Sequence, residues 1–573
     1  MDKLVECVPN ISEGRDRSVI DAVTAAVTDV AEVRLLDVDP GADTNRTVIT
    51  FIGPPEAVAE AAFRLVERAA ELIDMRSHTG AHPRHGATDV CPFVPVRGVS
   101  MDECVGLART VGERIGRELR IPVYLYEHAA NRPERKNLAT VRQGEYEALC
   151  DKLGTEDWAP DFGPNVWNDQ SARTGATNVG ARGFLVAYNV NLNTRDRKIA
   201  TDIALDIKEA GRAKRDAQGK IVRDGDGRII KVPGPYKLDA CKAVGWMIPE
   251  YDRAQISINL VDTAVTKPHQ AFEACRAAAQ DRGVRVTGSE LVGLIPEGDL
   301  LAAGRYFLQR AGGSAGVPRR LLIETAIQSL GLRELGLFDP AEKVIEYQAG
   351  LVDGRLVSMT NRAFVDELST DTPAPGGGSV AALCAAQGAA LVAMVANLTV
   401  GKKAYAGVED RVKEIAVAAQ ELKDAFLTAI DADTDAFNAV MDAFRLPKKT
   451  ADQKAARERA VAAATRGATR IPLGVLERVP RLLELAAEIA RIGNENSLSD
   501  AGVAGLAASA GAEGAYYNVI INLQSLKELD SSTEPGFSAE ARRTADATLR
   551  RCEELATSLR SAVRARLISG LDA

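Results

Sequence analysis

Pro373-Ala-Pro-Gly-Gly-Gly-Ser379 and the 21 residues after it, Val-Ala-Ala-Leu-Cys-Ala-Ala-Gln-Gly-Ala-Ala-Leu-Val-Ala-Met-Val-Ala-Asn-Leu-Thr-Val400, decide how the second half of the chain folds. From Ser379 to Val400 there is no charged residue, and the stretch is long enough to cross a bilayer. Its composition argues against that. Alanine dominates, Gln387, Gly388 and Asn397 interrupt it, and few strongly apolar side chains would face lipid. The stretch reads as a helix buried among other helices. Ala- and Leu-rich helical runs surround it, at about 361–370, 408–444, 451–468, 472–493, 499–528 and 538–569, with Pro447, Pro472 and Pro535 as punctuation. An all-α bundle is expected over 361–573, after a linker at 337–360.

Upstream the grammar differs. Segments 4–8, 34–39 and 47–52 are short, rich in branched apolar residues, and bounded by Pro, Gly and Asn. Segments 18–29, 56–73 and 101–120 carry apolar residues at helical spacing, and a further strand is expected at 121–126. This order matches a split βαβ unit, an antiparallel sheet with helices on one face. A second block has strands at 183–192, 254–260 and 284–287 and helices near 201–210 and 268–281. The expected architecture is therefore two ferredoxin-like α+β subdomains, 1–180 and 181–336, followed by the helical bundle. Residues 212–235, charged and Gly-rich, read as a surface hairpin or mobile insertion.

Composition narrows the function. The 573 residues include 71 Lys plus Arg and 79 Asp plus Glu, a net charge of −8, which disfavours a general nucleic-acid binder. The eight cysteines form no CxxC pair, and the first residues lack the basic and apolar regions of a signal peptide. A cytoplasmic protein that neither spans a membrane nor binds nucleic acid is expected.

Three clusters could carry chemistry. His78-Thr-Gly-Ala-His82-Pro-Arg-His85 would put three imidazoles on one face of a helix, but Gly80, Pro83 and Gly86 oppose a helix. A metal site, a turn with three solvated imidazoles, and a loop presenting one imidazole for proton transfer all remain open, with His82 best placed for the last. Gly376, Gly377, Gly378 and Ser379 open the uncharged helix. They could form either a tight packing turn or an anion-attracting helix start. Ile430-Asp-Ala-Asp-Thr-Asp435 sets three carboxylates in an amphipathic helix. Asp431 and Asp435 share a face, as on a solvated surface, while Asp433 points elsewhere and could line an interior pocket.

Longer strings carry a resemblance. Leu4-Val-Glu-Cys-Val-Pro-Asn-Ile-Ser-Glu-Gly14, Thr44-Asn-Arg-Thr47, His82-Pro-Arg84, Asp89-Val-Cys-Pro-Phe93, Asp157-Trp-Ala-Pro-Asp-Phe-Gly-Pro164, Ala374-Pro-Gly-Gly-Gly-Ser-Val380 and Arg445-Leu-Pro-Lys448 stand in the order in which the chain resembles the formimidoyltransferase-cyclodeaminase family, over nearly its whole length. The resemblance implies transfer of the formimino group of N-formimino-L-glutamate to N5 of tetrahydrofolate, followed by ring closure to 5,10-methenyltetrahydrofolate with loss of ammonia. It places the transferase histidine at His82, the cyclodeaminase aspartate at Asp433, and folate contacts on Gly163, Pro164, Asn165, Val166, Trp167, Arg173, Thr174 and Gly175. Asp39 and Asn10 are candidates for orienting substrate, and Arg46 and Arg182 for holding carboxylates, because the guanidinium fork suits them. Tetrahydrofolate would be a cosubstrate, with no metal, nicotinamide or flavin. Folate polyglutamates would be partners, and the family implies a dimer-based homo-oligomer. A transferase using N-formylglutamate with a cyclohydrolase-like bundle, a non-catalytic folate-binding scaffold and a metal-dependent hydrolase are the competing readings.

Overall fold

The computed structural model describes residues 3–42, 44–80, 83–351, 354–526 and 536–569. These fall into two compact units. One comprises 1–300 with 330–350, and the other 301–329 with 351–573. Residues 301–329, assigned from sequence to the second subdomain, group with the helical unit. Asn397 donates to the Gly316 carbonyl at 2.6 Å, and the Gly316 backbone lies so close to Ala416 that no side chain would fit.

In the first unit the strands are β1 (Leu4–Cys7), β2 (Asn10–Ile11), β3 (Arg34–Gly41), β4 (Arg46–Gly53), β5 (Thr88–Arg97), β6 (Val123–Glu127) and β7 (Thr177–Ala181). β1 and β2 pair with β4 in one unbroken register, Cys7 with Phe51 and Asn10 with Val48, so they act as a single strand through Val8 and Pro9. β3 flanks β4, and β5, β7 and β6 follow on the other side. β5 and β7, and β7 and β6, run parallel, so this sheet is mixed where the sequence predicts antiparallel pairing throughout. Period-2 alternation splits the strands' side chains. Val5, Cys7, Ile49, Phe51, Cys91 and Phe93 pack under the helices Arg17–Thr28, Pro55–Leu72 and Met101–Arg114. Glu6, Val8, Asn10, Val48, Thr50, Val90 and Pro92 occupy the opposite face, which no helix of this set covers.

The second sheet contains β8 (Val186–Leu192), β11 (Cys241–Ile248), β12 (Arg253–Leu260) and β13 (Val286–Val292), all antiparallel in the order β11-β12-β8-β13. Between β8 and β11 a short pair, β9 (Arg212–Ala213) and β10 (Lys231–Val232), closes the 212–235 segment. Inside it Asp216 and Asp224 each accept main-chain N–H groups two and four residues on, folding two tight turns. The helices Arg197–Ile207 and Pro268–Gln280 cover one face of this sheet. Gly245 must be glycine, because the backbone of Ala200 and Thr201 occupies the space of a Cβ. Lys242 and Trp246 alternate to the other face.

The helical unit packs Gly377–Asn397, Glu409–Arg445, Ala451–Ile492, Leu498–Leu526 and Phe537–Ser569 around an alanine-rich core. Gly377–Asn397 is apolar and long enough to cross a membrane, yet most of it is buried inside this core. Ala451–Ile492 is one continuous helix that carries Pro472 and Pro480 internally, whereas the sequence predicts two helices parted at Pro472. Pro447 does end a helix, and Thr450 restarts the chain through a capping box with Gln453. Pro535 lies outside the described residues.

Candidate active sites

The uncovered faces of the two sheets enclose a cavity of about 770 Å³, within the range of small-molecule sites. Of the residues singled out from sequence, Asn10, Asp39, Arg46 and Arg182 line it. Asn10 and Asp39 both pair with Val48, one from each side of β4, so they share one row across the sheet. Arg46 donates to the Asn10 side-chain oxygen. Burial pushes the Arg46 guanidinium down to about 10, with Asp89 opposing. Arg182 donates to the Gly183 carbonyl at 2.9 Å.

Arg142, Glu6, Glu127, Lys242 and Trp246 also line the cavity and were not singled out. Arg142 is held from below by Asp89, at 2.8 Å. Asp89 is 1% exposed, and burial raises its carboxyl above the usual range despite Arg142 and Arg46. Positive and carboxylate groups thus share one enclosed wall, the arrangement expected for a ligand that carries both carboxylates and N–H donors.

His82 lies outside the described residues. Its neighbours exclude three solvated imidazoles. His85 is fully buried, donates from Nδ1 to Asn178 Oδ1 over 3.2 Å and lies 5.5 Å from the Tyr124 ring. Burial pushes it down to about 3, so it stays neutral at physiological pH. His78 is half-buried with Nε2 at the Asn45 carbonyl, and Arg84 donates to its Nδ1. Among the described residues no three His, Cys, Asp or Glu side chains cluster as metal ligands would.

None of Gly163, Pro164, Asn165, Val166, Trp167, Arg173, Thr174 and Gly175 lines the cavity. Several of them are anchored by contacts within the protein. The Asn165 side chain ties the loop to Gly154 and Thr155, Arg173 donates to the Glu71 carbonyl, and Gly175 packs on His85 and Gly86. Trp167 stands 5.9 Å from the Tyr146 ring.

In the helical unit the structure brings Gly376, Gly377, Gly378 and Ser379 together with Asp433. Gly376 caps the helix Gly377–Asn397, and a Cβ on Gly378 would collide with the Asp433 carboxylate. Ser379 is fully buried. Its hydroxyl reaches the Ile430 carbonyl at 3.0 Å and Asp433 at 3.2 Å, and its main-chain N–H also donates to Asp433. The carboxylate thus sits on donors that a helix start leaves unpaired. Burial raises the Asp433 carboxyl above its ordinary value, with the Ser379 hydrogen bonds opposing. That combination suits a group that takes and returns a proton. Asp431 has a different task, accepting from the Leu356 and Val357 N–H groups at 2.8 and 3.1 Å. Asp435 is exposed.

Comparison with known proteins covers both units. Residues 4–182 match the formiminotransferase domain, N-terminal subdomain; 187–350 match the formiminotransferase domain; and 360–542 match formiminotransferase-cyclodeaminase. The formimidoyltransferase-cyclodeaminase of Rattus norvegicus is 42% identical over 536 residues, covering 92% of this chain and 94% of that protein. The glutamate formimidoyltransferase of Streptococcus pyogenes serotype M1 is 45% identical over 309 residues, covering 54% of this chain and 94% of its own. A methenyltetrahydrofolate cyclohydrolase of Methylorubrum extorquens is 43% identical over 169 residues, covering 30% of this chain and 81% of its own. With both units matched in order and nearly end to end, the chain belongs to the formimidoyltransferase-cyclodeaminase family.

Proposed function

We propose that the first unit moves the formimino group of N-formimino-L-glutamate to N5 of tetrahydrofolate, and that the helical unit closes the product to 5,10-methenyltetrahydrofolate and releases ammonia. The observation that carries this reading is the cavity between the two sheets, whose arginines and carboxylates suit a dicarboxylate donor and a pterin acceptor in the half matched by a glutamate formimidoyltransferase. Attack by N5 on the amidine carbon forms a tetrahedral intermediate, and the glutamate nitrogen leaves once protonated. His82 takes the first proton and returns it, a contribution of roughly 10²–10⁴-fold. Arg46, Arg142 and Arg182 hold carboxylates, and Asp39 and Asn10 orient the donor. The 163–175 loop, which does not line this cavity, supplies further folate contacts. In the second step N10 attacks the same carbon, and Asp433 carries the proton to the departing ammonia. Tetrahydrofolate acts as cosubstrate, and the chemistry as written calls on no metal, nicotinamide or flavin.

Titration with formiminoglutamate and tetrahydrofolate, following ammonia and the methenyl chromophore together, tests the proposal. Equimolar appearance of both supports it, and neither product appearing overturns it. A bundle acting as methenyltetrahydrofolate cyclohydrolase is favoured by the Methylorubrum extorquens relative alone. Methenyl product that disappears without ammonia release would select it.

We also infer a homo-oligomer in a reducing compartment such as the cytoplasm. Val503, Leu506, Tyr517 and Ile521 expose an apolar stripe along the helix Leu498–Leu526, which a second copy of the chain would cover. All eight cysteines are free thiols.

A further inference from the structure

Glu6 is a carboxylate in the middle of a sheet. It lies between Ile52 of β4 and Val94 of β5, is 3% exposed, and lines the cavity. Among the described residues nothing donates a hydrogen bond to it and no cation pairs with it. Arg182 is near enough to temper the effect of burial, which pushes the carboxyl up to about 7. Leaving a carboxylate buried and unpaired is costly. The alternation of β1 would accept any apolar residue here, as it does at Val8 on the same face. Nothing in the packing of the strand calls for the charge.

Its place along the cavity says what it meets. Glu6 and Asn10 lie on one register with β4, four residues apart, so about 13 Å of strand separates them. On the transferase reading above, the Asn10 end is the reacting end. Arg46 sits there, and His78, four residues before His82, reaches the Asn45 carbonyl beside it. A reduced pterin with N5 at that end directs its far edge toward Glu6. That edge carries the ring N3–H and the exocyclic 2-amino group side by side, two parallel donors that match the two oxygens of a carboxylate as a guanidinium does.

We propose that Glu6 is a specificity-determining residue of the transfer site, accepting the paired N–H donors of the 2-amino-4-oxopyrimidine ring of the acceptor. This rests on the transferase reading above. The role is distinct from proton transfer, since Glu6 is a strand's reach from the reacting carbon. It restricts the acceptor to pterins bearing the 2-amino group.

The test is a two-by-two comparison of wild type and Glu6→Gln with tetrahydrofolate and its 2-desamino-2-methyl analogue, measured as steady-state transfer and as equilibrium binding of each acceptor. In wild type the analogue raises KM and Kd by roughly 10–100-fold, the scale of hydrogen bonds to a charged group. Glu6→Gln raises them similarly for tetrahydrofolate, leaves the formiminoglutamate KM within about twofold, and brings the two acceptors together. Wild type that treats both acceptors alike overturns the proposal even if the variant does not fold. So does a variant that still discriminates between them, or one in which only the formiminoglutamate KM rises. Wild type that binds tetrahydrofolate in the Glu6-dependent way yet transfers nothing would instead overturn the transferase reading and leave Glu6 as a pterin contact.

Discussion

In the first unit a carboxylate, Glu6, projects from the middle of a strand and has no partner among the described residues. In the second, Asp433 projects from the middle of a helix and is gripped by the first turn of another. The first site is a broad wall assembled from two sheets, with its charges spread over β1, β3, β4, β6 and β11 and the segments between them. The second is a point contact, a carboxylate seated where Gly378 lets it approach a helix start. A wall distributes recognition over many groups, so losing one weakens binding. A point contact concentrates function, so a small displacement removes it.

The largest effects should come from the two proton carriers. Asp433→Asn should lower ring closure by about 10²–10⁴-fold and leave transfer intact, while His82→Ala does the reverse. Separate assays of transfer, and of ammonia release from supplied 5-formiminotetrahydrofolate, check both. If either substitution depressed both steps equally, the division of labour between the units would be wrong. Next in size is Gly378→Ala. Its methyl group would displace the Asp433 carboxylate, and ring closure should fall by about 10²-fold with transfer unchanged. Arg142→Lys keeps the charge over Asp89 but loses the fork, so KM for formiminoglutamate should rise about tenfold with little change in kcat.

The smallest effect is a displaced pH profile. Asp433 must be ionised to accept a proton, and its folded pKa is raised, so ring closure should fade on acidification at a pH above the ordinary aspartate range, by at most about tenfold per pH unit. Stability carries the opposite sign. The folded chain binds this proton more tightly than the unfolded one, so Asp433's contribution is present at acid pH and lost as pH rises through the raised value. Thermal unfolding of wild type and Asp433→Asn across pH 4–7 should converge at the acid end. If the two differ by a constant amount throughout, the shift is absent.

The bundle was legible because long amphipathic and alanine-rich runs declare themselves by period, and the interior place of Asp433 because it stands off the face that Asp431 and Asp435 share. Two features escaped. Pro472 reads as a helix boundary, yet it sits inside one helix packed against its neighbours, whose contacts outweigh the missing N–H group. β5 escaped for a related reason. Pro92 and Pro95 argue against an interior strand, but β5 pairs on both sides with β1, β2 and β7. Missing β5 and β7 hid the parallel pairings and with them the side of the sheet that faces the cavity. Glu6 was invisible for this reason, since a single Glu between Val5 and Cys7 reads as a solvent-facing position until the second sheet is in place. Arg142 sits in a connecting segment with no periodic pattern to mark it.

The two sheets that face each other are joined between β7 and β8 by residues 182–185 alone, and Arg182, Phe184 and Leu185 of that segment line the cavity themselves. The one covalent link between the two sheets is therefore also part of the wall a ligand would touch.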